Sequence, residues 1–191
     1  IRYLTMVSSI VEEIRKENPT FDITKINYQD PKVYELFAKG KTEGIFQFES
    51  SGMKEKLNLL KPTEFNDIVA MNALYRPGPM AQIEVYVRRK NKEEQVVYPH
   101  PHLEKILKDT YGVIVYQEQI MLIAVNFAHM SLNEADNMRR AVSKKKKEDL
   151  EYYGRIFVEK SVAAGYDLQV AKKLFDLIVT FANYGFNKSH A

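Results

Sequence analysis

The sequence predicts a mainly α-helical protein. Apolar residues recur at helical spacing through most of the chain. The periodic runs are punctuated by Pro, Gly and cap residues of the kind that start and stop helices. Alternating runs of strand type are few and brief, so at most a few very short strands are expected inside a multi-helix domain.

Taken in order, Leu4, Val7, Ile10, Val11 and Ile14 keep helical spacing until Asn18-Pro19, where a helix must stop. Asp30-Pro31 gives an N-cap followed by Pro at the first helical position, and Gly40 closes that short helix. Gly44-Ile45-Phe46-Gln47-Phe48 reads as a short extended segment. Ser51 is placed to cap a helix carrying Met53, Leu57 and Leu60, and Thr63 to cap the next, with Phe65, Ile68 and Val69. Arg76-Pro77-Gly78-Pro79 is a stiff loop: two prolines fix φ and the glycine allows a sharp turn. A helix over 81–90 follows, then Val96-Val97-Tyr98 as a short strand and Pro99-His100-Pro101-His102 as a surface loop. Leu103, Ile106 and Leu107 mark a short helix. Val113 to Tyr116 is a brief apolar run, and 117–130 a helix buried on most sides, with His129 packed or capping near its end. Ser131 with Glu134 three residues later forms a capping box for a basic helix. Helices over 150–164 and after Asp167 complete the chain, and Gly185 breaks the last one.

Composition bounds the function. The chain has 191 residues, no cysteine and a net charge of +3. It needs no disulfides to hold a core of this size, and no apolar run is long enough to span a bilayer. There is no P-loop, no Gly-rich dinucleotide turn, no nucleophile elbow and no close carboxylate pair for two-metal chemistry. The chain opens without Met and closes without a polar tail, so both ends are read as cuts in a larger protein.

The basicity is local. Arg139, Arg140 and Lys144, Lys145, Lys146 and Lys147 have no acid among them. Leu132, Ala135, Met138 and Val142 form the inward stripe of their helix, and Arg140 and Lys144 project from a common side away from it. Such a run is either a solvated face or a phosphate cradle. The corner around Tyr184, Gly185, Lys188, Ser189 and His190 has the same two readings. It is an ordinary helix–helix corner, or a phosphate site where Tyr184 stacks a base and free backbone N–H groups near Lys188 meet an anion. A phosphate role requires that the two arginines not be buried in ion pairs and that they face this corner. From residue chemistry alone, a helical module that grips nucleic acid or an acidic protein, or a helix-turn-helix reader, remains an open alternative.

Five stretches, in order, carry a resemblance: 44–53 (GIFQFESSGM), 73–79 (ALYRPGP), 110–119 (TYGVIVYQEQ), 135–146 and 181–190. Together they resemble the bacterial replicative DNA polymerase III α subunit family (family C), over nearly the whole chain from about Gly44, and the segment looks like its fingers domain. The resemblance implies one fingers fragment over 1–191, with 1–43 as lead-in helices next to the palm and 44–191 as the fingers core. It implies a cytoplasmic, DNA-directed DNA polymerase that extends a primer with deoxynucleotides. Its catalytic aspartates and Mg²⁺ ligands would lie outside this fragment, leaving no catalytic residue or metal ligand within it. Arg139 and Arg140 match the family's arginine pair and would meet the incoming triphosphate. Lys144, Tyr184, Lys188 and His190 join them as nucleotide-binding residues. Gln47, Arg76, Lys145, Lys146 and Lys147 would meet DNA. The implied partners are dNTP, primer–template DNA, the other polymerase domains and replisome subunits.

Overall fold

The computed structural model describes residues 2–144, 147–182 and 184–191, with the backbone alone described at Ala182. Among these residues there are ten α-helices, and the only ladder pairing is a single parallel bridge between Tyr116 and Phe186. The mainly α class holds, and the expected short strands reduce to that bridge. Residues 43–47 fold into turns because Gly44 and Gln47 both take positive φ (76° and 69°), which an extended segment cannot contain. Residues 95–98 have no ladder partner and form no strand.

The chain divides into two compact units, Ile1–Pro31 and Lys32–Ala191. In the first, α1 (Arg2–Glu17) ends just before Pro19, and Asp22 caps a 3₁₀ turn over Ile23–Lys25 by accepting a hydrogen bond from the Thr24 N–H. Of the apolar stripe on α1 only Val11 is buried.

The second unit holds two apolar clusters. The first gathers α2 (Pro31–Ala38), α3 (Ser51–Leu60), α4 (Phe65–Leu74) and α5 (Ile83–Lys90) around Met53, Leu57, Leu60, Met71, Leu74 and Tyr86. Two caps differ from the sequence expectation. Ser50, not Ser51, caps α3 by accepting from the Met53 N–H. Glu64 holds the cap position of α4, while the buried Asp67 carboxylate accepts from the N–H groups of Thr63 and Glu64. Lys90 lies 3.4 Å from that carboxylate, so the buried charge is paired.

The second cluster gathers α6 (Glu104–Leu107), α7 (Gln117–Phe127), α8 (Leu132–Lys144), α9 (Lys147–Ala163) and α10 (Leu168–Ala182). Helices α7 to α10 pack against one another, with Phe127, Met138, Phe157 and Ile178 inside. α7 ends at Phe127, earlier than expected, and α9 begins at Lys147, ahead of Leu150. His129 is exposed at positive φ (49°) just past the end of α7, rather than packed.

Residues 113–116 run along the seam of the two clusters. Val113 and Val115 belong to the first and Ile114 to the second, as the period of extended backbone dictates, while Tyr116, at the entry to α7, joins the first again. Gln119 fixes this segment from inside. Its Oε1 accepts from the N–H groups of Val115 and Tyr116, and its Nε2 donates to Thr110 Oγ1. The start of α7 is thereby tied to both cores.

Candidate nucleotide-facing site

The chain's final corner is assembled on this seam. Phe186 donates its N–H to the Val115 carbonyl, and the Gln117 N–H donates to the Phe186 carbonyl at 2.9 Å. The Gln117 side chain donates to the Gly185 carbonyl at 3.1 Å. The loop after α4 grips the corner from another side. Arg76 donates to the Ala73 carbonyl at 3.0 Å and to the Tyr184 carbonyl at 2.7 Å, and its guanidinium sits over the Phe186 ring, 4.5 Å from the centroid. Gly78 takes φ 105°, and a Cβ there would overlap the Tyr184 ring. The stiff loop therefore seats the tyrosine, which keeps 39 % of its surface exposed, while the His190 ring lies 5.6 Å from that of Phe186.

α8 supplies the arginines. Ser131 and Glu134 cap it reciprocally: the Ser131 N–H donates to Glu134, and the Glu134 N–H donates to Ser131 Oγ. Ala135, Met138, Ala141 and Val142 face inward, whereas Leu132, expected on that stripe, is exposed because it precedes the packed turn. The two arginines do not stand clear of acids: Arg139 is largely buried in an ion pair, against the condition set for a phosphate role, and only Arg140 stays paired but exposed. Asp136 lies one turn back and serves both. Its Oδ1 accepts from Arg139 Nε (3.0 Å) and Nη2 (2.7 Å), and its Oδ2 is 2.8 Å from Arg140 Nε. The arginines hold the Asp136 carboxyl below its usual range, the hydrogen bonds from Arg139 being the larger cause. The local relation explains the pairing: i,i+3 and i,i+4 residues share a helix face. The trio keeps one net positive charge. Arg140 remains 63 % exposed and Arg139 19 %. Arg139 also donates to Gln117 Oε1 at 2.9 Å, which joins the basic helix to the corner through Gln117 and Gly185.

Of the other expected site residues, Lys144 is exposed at the end of α8, and Lys147 is exposed with its ammonium 3.9 Å from Glu151. Lys145 and Lys146 lie outside the described residues. Lys188 opens a 3₁₀ turn over Lys188–His190, but its N–H donates to Glu118 at 3.1–3.2 Å, and its ammonium lies 5.2 Å from the Tyr116 ring centroid. The backbone anion position expected at Lys188 is thus filled by the chain's own carboxylate. A cavity of about 230 Å³ beside it is lined by Lys105 and Lys188 but also by Asp109 and Glu118, a balance that does not favour an anion. Gln47 is exposed on its turn, and among the described contacts none links it to the corner. His100 and His102 pack with Phe127 and Tyr166, and His102 Nδ1 is 2.8 Å from the Tyr166 hydroxyl. Among the described residues no group of three or more His, Asp or Glu is arranged to hold a metal ion. Among the described residues no helix is long and apolar enough to cross a membrane.

Neither Asp136 nor Gln117 stands out in the sequence. The i,i+3 rule could have found the first; the second stands in the 110–119 stretch without any mark of its role.

Residues 3–165 match the family model described as the bacterial DNA polymerase III alpha subunit finger domain. The chain is 54% identical, over its whole length, to the DNA polymerase III subunit alpha of Bacillus subtilis (strain 168) and 51% identical to that of Halalkalibacterium halodurans. It is 49% identical to that of Staphylococcus aureus (strain COL). It spans 17%, 17% and 18% of these curated relatives. With the five ordered motifs and the helical fold, the match places the chain in the bacterial DNA polymerase III alpha subunit finger domain family.

Proposed function

We propose that this chain serves as the fingers of a cytoplasmic DNA-directed DNA polymerase, where it holds the triphosphate of the incoming dNTP and borders the primer–template. Other polymerase domains and replisome subunits would be its further partners. The observation that supports this most is the hydrogen-bond chain from Arg139 through Gln117 to Gly185, because it ties the cationic helix to the exposed Tyr184 corner. Negative charge grows on the leaving pyrophosphate during nucleotidyl transfer, and fixed cations aimed there stabilise the transition state. Arg140, exposed on the outer side of Asp136, and the remaining N–H groups of Arg139 would supply that charge, with Lys144 beside them. Tyr184 and His190 would border the nascent base pair, with Lys188 held against Tyr116. Gln47 and Lys145 to Lys147 would face DNA, and Arg76, its guanidinium engaged by the Ala73 and Tyr184 carbonyls, would border that side by fixing the corner. A replicative enzyme accepts every base, so these contacts would be to phosphate, sugar and stacked faces.

The Mg²⁺ of the parent polymerase would be held outside this chain. The bond-making carboxylates would belong to a neighbouring domain.

The test is Arg139→Ala in a DNA polymerase III α subunit carrying this chain as its fingers. The KM for dNTP is expected to rise by roughly ten- to a hundredfold, the cost of one or two charge-assisted phosphate contacts. The primer–template Kd should stay within about twofold. Equal loss of both would overturn the triphosphate role.

A further inference from the structure

We propose that Gln117 is a positioning residue that aims the Arg139 guanidinium and couples its direction to the Tyr184 corner. This rests on the fingers reading above and deepens it.

Gln117 is the one side chain in the described contacts that meets both elements. Its Oε1 accepts from Arg139 Nη1 at 2.9 Å, and its Nε2 donates to the Gly185 carbonyl at 3.1 Å. Its backbone is held as firmly, with its N–H on the Phe186 carbonyl beside the Tyr116–Phe186 bridge. A Cβ on Gly185 would lie 3.2 Å from Gln117 Cγ, so the backbone passes close over the side chain and limits its rotamers. The amide orientation follows from chemistry. A guanidinium is donor-only and a carbonyl acceptor-only, so oxygen must face Arg139 and nitrogen Gly185.

This fixes what Arg139 can present. Of the five N–H donors of a guanidinium, Nε and one on Nη2 go to Asp136, and one on Nη1 goes to Gln117. One N–H on each Nη remains. Asp136 alone holds the guanidinium along one edge, through a single oxygen, and leaves it free to swing about that atom. The Gln117 bond closes off that swing. A planar group held on two sides presents its remaining donors in a set direction, as recognition of a phosphate requires. The same amide reads the position of the 185–186 backbone, so a shift of the corner moves the arginine.

The experiment is steady-state primer extension by the full α subunit carrying this chain, with wild type, Gln117→Met, Arg139→Ala and the double variant. Methionine keeps the side-chain length and removes both hydrogen bonds. The expected result is a KM for dNTP raised about tenfold by Gln117→Met, kcat lowered by less than about threefold, and primer–template binding unchanged. The double variant should be no worse than Arg139→Ala alone, because a residue that acts through Arg139 has nothing to act on once it is gone. An unchanged KM in Gln117→Met, or an effect that multiplies fully in the Arg139→Ala background, overturns the proposal. If Arg139→Ala itself leaves KM unchanged, the triphosphate reading fails instead, so the two failures are distinct. Gln117→Asn, too short to span both partners, should behave as Gln117→Met does. A wild-type KM in that variant would also overturn the proposal.

Discussion

Replacing Gly78 by alanine should loosen the corner from a distance in sequence. Gly78 sits at φ 105° and ψ −71°, a region closed to residues with a Cβ. Holding alanine there costs on the order of 1–3 kcal/mol. The added methyl would also overlap the Tyr184 ring, with Cζ only 2.7 Å away, so the ring must swing outward. Returning about 40 Å² of apolar surface to water would add about 1 kcal/mol. Gly44 supplies the reference. It too has positive φ (76°), but a Cβ there would meet nothing within 4 Å. Gly44→Ala should therefore cost only about 1 kcal/mol, the backbone penalty alone. In equilibrium denaturation, Gly78→Ala should lower stability by about 2–4 kcal/mol. The Tm should fall by about 5–15 °C for a chain of this size, against about 2–4 °C for Gly44→Ala. Equal changes in the two variants would refute the packing of Tyr184 on the loop, and a Gly78→Ala change within about 0.5 kcal/mol would refute the backbone reasoning as well.

Two other outcomes follow from the helices beside the corner. Glu134 accepts from Lys160 of α9 and from the Ser131 N–H, and its carboxyl is pushed from 4.5 down to about 2, the Lys160 hydrogen bond being the larger cause. A folded-state value below the unfolded one means stabilisation that is complete above about pH 4.5 and lost as pH falls toward about 2. Glu134→Gln should flatten the stability profile in that window, and an unaltered acid limb would show that the α8–α9 pin contributes nothing. Neutralising Lys144 to Lys147 with glutamine should lower the slope of log K against log salt for DNA binding by roughly 0.9 for each phosphate that the lysines had neutralised. An unchanged slope would make those lysines a solvated surface.

The chain's local features were legible from its order of residues. Pro19, Gly165 and Asp167 stop and start helices wherever they stand, because φ restriction, φ freedom and side-chain capping act within a turn. The Ser131–Glu134 box and the inward Ala135, Met138 and Val142 are of the same kind. The short strands expected at 44–48 and 96–98 do not form, for a related reason. Alternation at 44–48 and 96–98 is a local property, but a strand exists only when a distant segment supplies a ladder. At 116 that segment is Phe186, and at the other two there is none among the described residues.

The site was legible as an inventory and not as a circuit. The run of cations, the stiff loop and the final corner could all be named from the sequence. Only the folded chain shows that Asp136 bridges both arginines, that Glu118 occupies the Lys188 N–H, and that Gln117 joins Arg139 to Gly185. It also shows Arg76 closing on the Tyr184 carbonyl, 108 positions away. Helical spacing decides which residues share a face. Which face meets which carbonyl depends on how two apolar cores settle around residues 113–116, and a hydrogen bond at 2.9 Å is made or broken by shifts smaller than any sequence pattern specifies.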